Sequence, residues 1–259
     1  MTQLLRIGYL YPKELNLYGD TGNIEVLSYR AHARNIDVEV IPITMSTPVS
    51  TALFSKINFL FMGGGPDSSQ EIIFKDFFTN KGKYLLDYIH MGGVGVYICG
   101  AYQLLGNYYK DANDNMLKGL GAFNMHTVSF GKSKPRCIGN VSGALNTLLL
   151  EDPVFMENNP LKLTNLVGFE NHGGRSYLDS SLNTLLTVKK GSGNNGEDLK
   201  EGLIYKNSFG TYLHGPLLTK NPHFADYLIS KSLGGARLKP LVIDELIYKA
   251  HKNALTLPR

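Results

Sequence analysis

The segment that most limits what this chain can fold into is Val94-Gly-Val-Tyr-Ile-Cys99-Gly-Ala-Tyr-Gln103. An apolar run with no polar alternation reads as a strand buried on both faces, as in a parallel sheet covered by helices. It leads straight into a cysteine and two very small residues, then into a stretch that predicts a helix over 102–109. The rest of the first half fits this frame. Short apolar runs at 4–11, 38–43 and 59–62 alternate with helical patterns at 23–34 and 70–90, the first opened by Asp20 or Thr21 as its cap. This βαβ alternation predicts an α/β fold with a mostly parallel central sheet flanked by helices and joined by right-handed crossovers.

The second half adds strands. Runs at 123–130, 137–141, 166–169, 185–189 and 202–212 are joined by Gly, Asn and Ser turns, with the plainest loop at 191–196. Helical patterns return at 222–233 and 240–254. With no repeat and no convincing linker, 259 residues read as one domain, with a core at about 4–220 and a helical section at about 221–259.

Composition removes several function classes. No apolar run reaches the ~18–20 residues of a membrane span, and the N-terminus lacks a basic leader and a small-residue cleavage site. A cytoplasmic location is the expectation. Net charge is +4, and no five cations run together, so nucleic acid is a poor candidate partner. The basic excess from Lys231 to Arg259 reads as a solvated helical face or as a docking surface. Two cysteines without CxxC or HxxxH spacing give neither a disulfide scaffold nor a metal site.

A thiol on a tight strand-to-helix turn is held in strained backbone that small neighbours permit. It also faces the positive end of a helix, which favours thiolate. Cys99 is therefore a candidate nucleophile, against the blander reading of a packed core cysteine; Cys137, in a strand with no such turn, takes the blander one. An acyl-transfer cysteine needs oxyanion donors. The Gly100 amide is one candidate, and Met62-Gly63-Gly64-Gly65-Pro66-Asp67 can bring another close. No GxGxxG or GxxxxGK[ST] accompanies these glycines, which weakens a nucleotide reading. Two histidines compete as general base. His214, in Gly210-Thr-Tyr-Leu-His214-Gly-Pro216, ends an apolar strand before Gly-Pro; His172 lies in Gly168-Phe-Glu-Asn-His172-Gly-Gly-Arg175. His32, His90, His126, His223 and His251 have no comparable setting.

Taken together, Cys99-Gly-Ala-Tyr-Gln103, Gly63-Gly-Gly-Pro66, Phe169-Glu-Asn-His-Gly-Gly174 and Thr211-Tyr-Leu-His214-Gly-Pro216 resemble the CobB/CobQ-type class I glutamine amidotransferases. With Asn16-Leu-Tyr-Gly-Asp-Thr-Gly-Asn23 included, the likeness is to the branch of glutaminase subunits that serve a separate Mur-ligase-like enzyme of peptidoglycan synthesis. The resemblance implies that Cys99 attacks the side-chain amide of L-glutamine and that His214 acts as base, then as acid to the departing ammonia. It implies that Arg136 grips the substrate's α-carboxylate, which suits a guanidinium, although a surface arginine at a strand start is the plain alternative. Gln103, Gly64, Gly65 and Gly100 would complete the substrate site, Gln103 by holding glutamine or the turn. A heterodimer with the Mur-ligase-like subunit is implied, with ATP and Mg on that partner and no cofactor in this chain. Through the partner's lipid-borne substrate the complex would sit at the inner face of the membrane. Rival readings are a glutaminase domain of a cobyrinate-type synthetase and a non-catalytic scaffold.

There are departures from the family. Ala101 stands where broader class I enzymes have Gly, and Pro216 stands where they carry a Glu that orients the histidine. The third acid is left open between a bare dyad, Glu170 and a residue of the partner, while Asp20 reads as a helix cap or a partner contact.

Overall fold

Four parallel strands come first in the chain: β1 (Leu4–Leu10), β2 (Asp37–Ile43), β3 (Phe59–Met62) and β4 (Val94–Ile98). All nine residues of β3 and β4 are buried, as their unbroken apolar sequence requires. The computed structural model describes residues 3–258. Next along the chain are β5 (Tyr108–Lys110), β6 (Met116–Lys118), β7 (Met125–Ser129), β8 (Cys137–Leu145), β9 (Asn165–His172) and β10 (Gly174–Leu178). The last four are β11 (Leu186–Lys190), β12 (Lys200–Glu201), β13 (Leu203–Tyr205) and β14 (Ser208–Thr211).

These strands form three sheets. The central sheet has the order β13-β14-β4-β3-β1-β2, parallel throughout except for the β13–β14 hairpin at its edge. Two smaller sheets, β10-β7-β5-β6 and β12-β11-β8-β9, stand beside it. The fold is thus α/β, with a mostly parallel sheet, flanking helices and additional strands from the second half. The chain winds from β1 out to β2 and then to β3, β4 and β14 on the other side of β1, so the switch point lies between β1 and β3, beside the ends of β3, β4 and β14, where open α/β sheets bind ligands.

Three helices matter for the site: α1 (Thr21–His32), α2 (Asp67–Asp76), and α3 (Gly100–Leu104), which follows Cys99 directly. Two more, α4 (Pro222–Ser232) and α5 (Asp244–Thr256), close the chain. α4 packs on β3 and β4 and on α1. Arg30 of α1, almost wholly buried, bridges Asp226 of α4 at 2.7 Å and Asp244 of α5 at 2.8 Å.

Several boundaries differ from expectation. The helix predicted over 70–90 is two helices about a π-turn at Phe77–Lys81. The helix predicted over 102–109 stops at Leu104, and β5 begins at Tyr108. The cause is tertiary: the Asn107 amide donates to Met125 O (2.7 Å), and Gly106 O accepts from the Gly121 amide (2.8 Å), so backbone that could extend the helix is already paired. The strand predicted over 202–212 is a hairpin, turned at Lys206 with φ of 54°. β10 was not foreseen; it pairs with β7, and its residues show no clear two-residue apolar rhythm.

Candidate active site

Cys99 has φ 51° and ψ −106°, a left-handed conformation that an L residue adopts only when its surroundings hold it there. They do so on both sides. The Cys99 amide donates to Thr211 O at 2.8 Å, and Cys99 O accepts the Gln103 amide at 3.0 Å. Small neighbours are a steric necessity: a Cβ on Gly100 would lie 2.9 Å from Gly65 O and from Gln70 Nε2. Ala101 is fully buried, so the turn accommodates the methyl group that distinguishes it from glycine.

His214 continues the line of β14 after a gap. Its amide and carbonyl exchange hydrogen bonds with Phe169 of β9 at 2.7 and 3.1 Å, which fixes the backbone beneath the ring. The side chain is buried, with Nδ1 3.3 Å from Asp20 Oδ1. Asp20 is completely buried, and its Oδ2 accepts the Gly64 amide at 2.7 Å. Nε2 of His214 has no hydrogen-bond partner among the described residues, and Cys99 stands beside the ring. Burial alone would depress the His214 pKa. Interaction with Asp20 and, second, with Cys99 outweighs it and raises the value to about 10. Gly64 sits at the centre of this group: a Cβ there would lie 2.8 Å from His214 Cε1 and 3.0 Å from Cys99 Cβ.

The expected cap role of Asp20 is therefore overturned. Its side chain makes no bond to the helix, and Asn16 Oδ1 takes the Thr21 amide instead, at 2.8 Å. The carboxylate turns inward to His214, where Pro216 offers none. Glu170 is excluded from that task, because its two oxygens accept the Ser192 and Gly193 amides at 2.7 and 2.9 Å. One sequence signal was available. Asn16 is also a good capping residue, and a local motif with two candidate caps leaves one side chain free for another use.

The remaining predicted residues gather around the turn. The Gly100 amide opens α3 and has no intrahelical acceptor. It and the Gly65 amide have no hydrogen-bond acceptor among the described residues, whereas the Gly64 amide is taken by Asp20. Gln103 is buried; its Nε2 donates to Tyr212 Oη at 3.0 Å, and Oε1 lies 3.5 Å from Gln70 Nε2, so it ties the turn to its neighbours. A cleft of about 310 Å³ opens beside it, bordered by Gln70, Gln103 and Tyr109. Of the predicted site residues Gln103 lines it, and Cys99, His214 and Arg136 do not. Arg136 is exposed, with Nη1 3.3 Å from where a Cβ of Gly173 would stand, and Gly174 in turn abuts Gln103 and Tyr109.

A second thiol group lies behind the first. Cys137, Glu170 and His172, all buried, offer ligand or catalytic atoms within 4.8 Å of one another. The composition is that of a thiol–imidazole–carboxylate triad. Its geometry is different, since Cys137 starts a regular strand and the Arg175 guanidinium donates to its sulfur. His172 Nδ1 is bonded to Gly174 O at 2.7 Å, and the ring stacks on Tyr212 at 3.7 Å. Burial opposes its charge, but Cys137 and Glu170 raise the His172 pKa to about 9.

A strained thiol at a βα turn, a buried histidine and a carboxylate behind it, on this sheet, define a class I glutamine amidotransferase. Residues 6–222 match the CobB/CobQ-like glutamine amidotransferase domain, and the chain belongs to that family of glutamine-hydrolysing enzymes. Among its relatives, the GatD subunit of lipid II isoglutaminyl synthase (glutamine-hydrolyzing) from Staphylococcus aureus is 39% identical over 242 residues, 93% of this chain and 90% of the relative. The GatD subunit from Streptococcus pneumoniae is 35% identical, covering 88% and 80%. A probable cobyric acid synthase of Methanococcus vannielii is 34% identical but matches only 62% of this chain and 31% of its own. Solved structures share the fold at low identity. PurLQS from Thermotoga maritima superposes with a TM-score of 0.54 at 13% identity (90% and 98% covered), and the glutaminase domain of Trypanosoma brucei CTPS with 0.53 at 9% (92% and 96%). No helix among the described residues is long and apolar enough to cross a membrane.

Proposed function

We propose that this chain is the glutaminase subunit of a lipid II isoglutaminyl synthase, with Cys99, His214 and Asp20 as its catalytic group. The Cys99 thiolate attacks the side-chain amide carbon of L-glutamine, and the Gly100 and Gly65 amides receive the oxyanion. As the C–N bond breaks, His214 gives its proton to the departing ammonia, leaving a glutamyl thioester. His214 then takes a proton from water, whose oxygen attacks the thioester; glutamate leaves and the thiol is restored. Asp20 fixes the ring and stabilises its charged form throughout, the part of the orienting acid in a triad. Arg136 holds the α-carboxylate.

The ammonia passes to a Mur-ligase-like partner, MurT. With ATP and Mg bound, that partner activates the α-carboxyl of D-glutamate in lipid II, and amidation gives D-isoglutamine. The observation that carries this reading is the meeting of strained Cys99, His214 and buried Asp20 around Gly64. Likeness to the GatD subunits over most of both chains favours the lipid II assignment over a cobyrinate-type one. The complex would be cytoplasmic, drawn to the membrane by its substrate.

The test is glutamate release from L-glutamine by the full chain, with and without the ligase. Cys99→Ser should abolish it, and Cys137→Ser should leave most of it. The reverse pattern would move the nucleophile to the second thiol group, and no release in the complex would leave a scaffold.

A further inference from the structure

At the mouth of the site, Arg136 is joined in a row to two side chains that the mechanism leaves without a role, Asn171 and Tyr18. Among the described residues, the hydrogen bonds of Arg136 all go to Asn171: Nε and Nη2 donate to its Oδ1 at 3.0 and 2.9 Å, and Nη2 to its O at 3.1 Å. Among the described residues, Arg136 meets no carboxylate. The other end of Asn171 donates from Nδ2 to Tyr18 Oη at 2.5 Å. Tyr18 sits in left-handed backbone (φ 55°), and its ring packs edge-on against the His214 ring, centroids 5.0 Å apart. The same short loop carries Asp20, and its Leu17 amide is anchored to Gly64 O at 2.9 Å.

We infer that Asn171, braced by Tyr18, sets the enzyme's selectivity for free glutamine by aiming the Arg136 fork at the α-carboxylate. The inference rests on the reading of Arg136 as the carboxylate-binding residue. A guanidinium recognises a carboxylate through two parallel N–H donors, so its orientation decides whether one bond or two can form. A neutral amide partner restrains the fork without neutralising it. An acidic partner would fill it and compete with substrate. A long cation left unrestrained at the surface would lose rotamer freedom on each binding event. Tyr18 explains why a strained residue is kept here: its hydroxyl positions Asn171 while its ring covers the catalytic histidine, so substrate selection and base share one support. Carboxyl-blocked or peptide-bound glutamine gains nothing from this arrangement.

The experiment compares steady-state hydrolysis of L-glutamine and L-glutaminamide by the ligase-bound chain, with Cys99→Ser as blank. Asn171→Asp places a carboxylate against Arg136. It should raise KM for glutamine by about tenfold or more, with a much smaller fall in kcat, and leave KM for glutaminamide nearly unchanged. Tyr18→Phe, a gentle change that keeps the ring, should move KM for glutamine the same way by about threefold. Arg136→Met separates the two readings. If it fails to raise KM for glutamine, Arg136 is not the carboxylate site and both fall. If it does raise KM while the Asn171 and Tyr18 variants do not, only the present inference is overturned. Variants that change kcat and KM alike for both substrates would mark Asn171 and Tyr18 as structural, and would overturn it too.

Discussion

His214 is buried beside Asp20 and Cys99, and this sets the pH behaviour of the site. A ring buried alone would be neutral; here Asp20 and Cys99 hold a proton on it up to a pKa of about 10. That proton is the one ammonia needs as it leaves. Activity should therefore fall on the alkaline side as His214 titrates. Removing Asp20's charge destabilises the imidazolium, so Asp20→Asn should shift the alkaline limb of the pH–kcat profile to lower pH. It should also lower kcat by about 10²–10⁴-fold. An unshifted limb with full kcat would show that the Asp20 contact does not orient the base. The residues alone left His172 open beside His214 as base, and the family resemblance chose between them; the setting of Cys99 was legible from the small residues that follow it. Asp20 was not, because its partner lies 194 positions away and its local setting is that of a cap. Asn171 and Tyr18 were hidden for the same reason.

At the level of elements, the loop leaving β3 is as much a part of the site as the nucleophile turn. Its three glycines are not interchangeable: a Cβ at Gly63 would meet Leu15 O and the Asp20 side chain, one at Gly65 would meet Leu15 Cδ2 and Glu14 O, and one at Gly64 would meet His214 and Cys99. A methyl group at 64 must displace His214, Cys99 or both. Gly64→Ala should lower glutaminase kcat/KM by about 10²-fold or more through misplaced reacting groups. The loss of stability should be only about 1–3 kcal/mol, as for other overpacked sites. Kinetics together with urea unfolding would check this, and wild-type kcat/KM would overturn it. The strands of the first half were readable because burial on both faces makes each a plain apolar run between punctuating turns. In the second half the runs at 137–141 and 166–169 proved to be the cores of longer strands, Cys137–Leu145 and Asn165–His172. Their ends are Gly- and Asn-rich and are strand only because the partner strand pairs them, residue by residue, from Cys137 with His172 to Ala144 with Asn165.

Across the whole molecule, the outer sheets must be tied to the central one without loosening the end of β14, from which His214 hangs. Glu201 of β12 makes this tie. It is completely buried, accepts from Thr211 Oγ1, and accepts the Tyr212 amide at 2.9 Å. Burial pushes its carboxyl pKa up, and Thr211 and Tyr212 pull it back only part of the way, to about 7. The sign of the linkage follows. Between its unfolded value near 4.5 and about 7, the folded chain binds more protons at this site than the unfolded chain. Its contribution is therefore fully present below 4.5 and is lost as pH rises through 7. At 1.36 kcal/mol per unit, the full swing is about 3 kcal/mol. Glu201→Gln keeps an acceptor for Thr211 and Tyr212 but cannot ionise. Relative to wild type it should be nearly neutral at pH 4.5 and stabilising by up to about 3 kcal/mol at pH 8, measured by urea unfolding at both. Other titrating groups are common to the two proteins and cancel in that difference. A stability difference that does not change with pH would mean that Glu201 ionises as freely inside the fold as outside it.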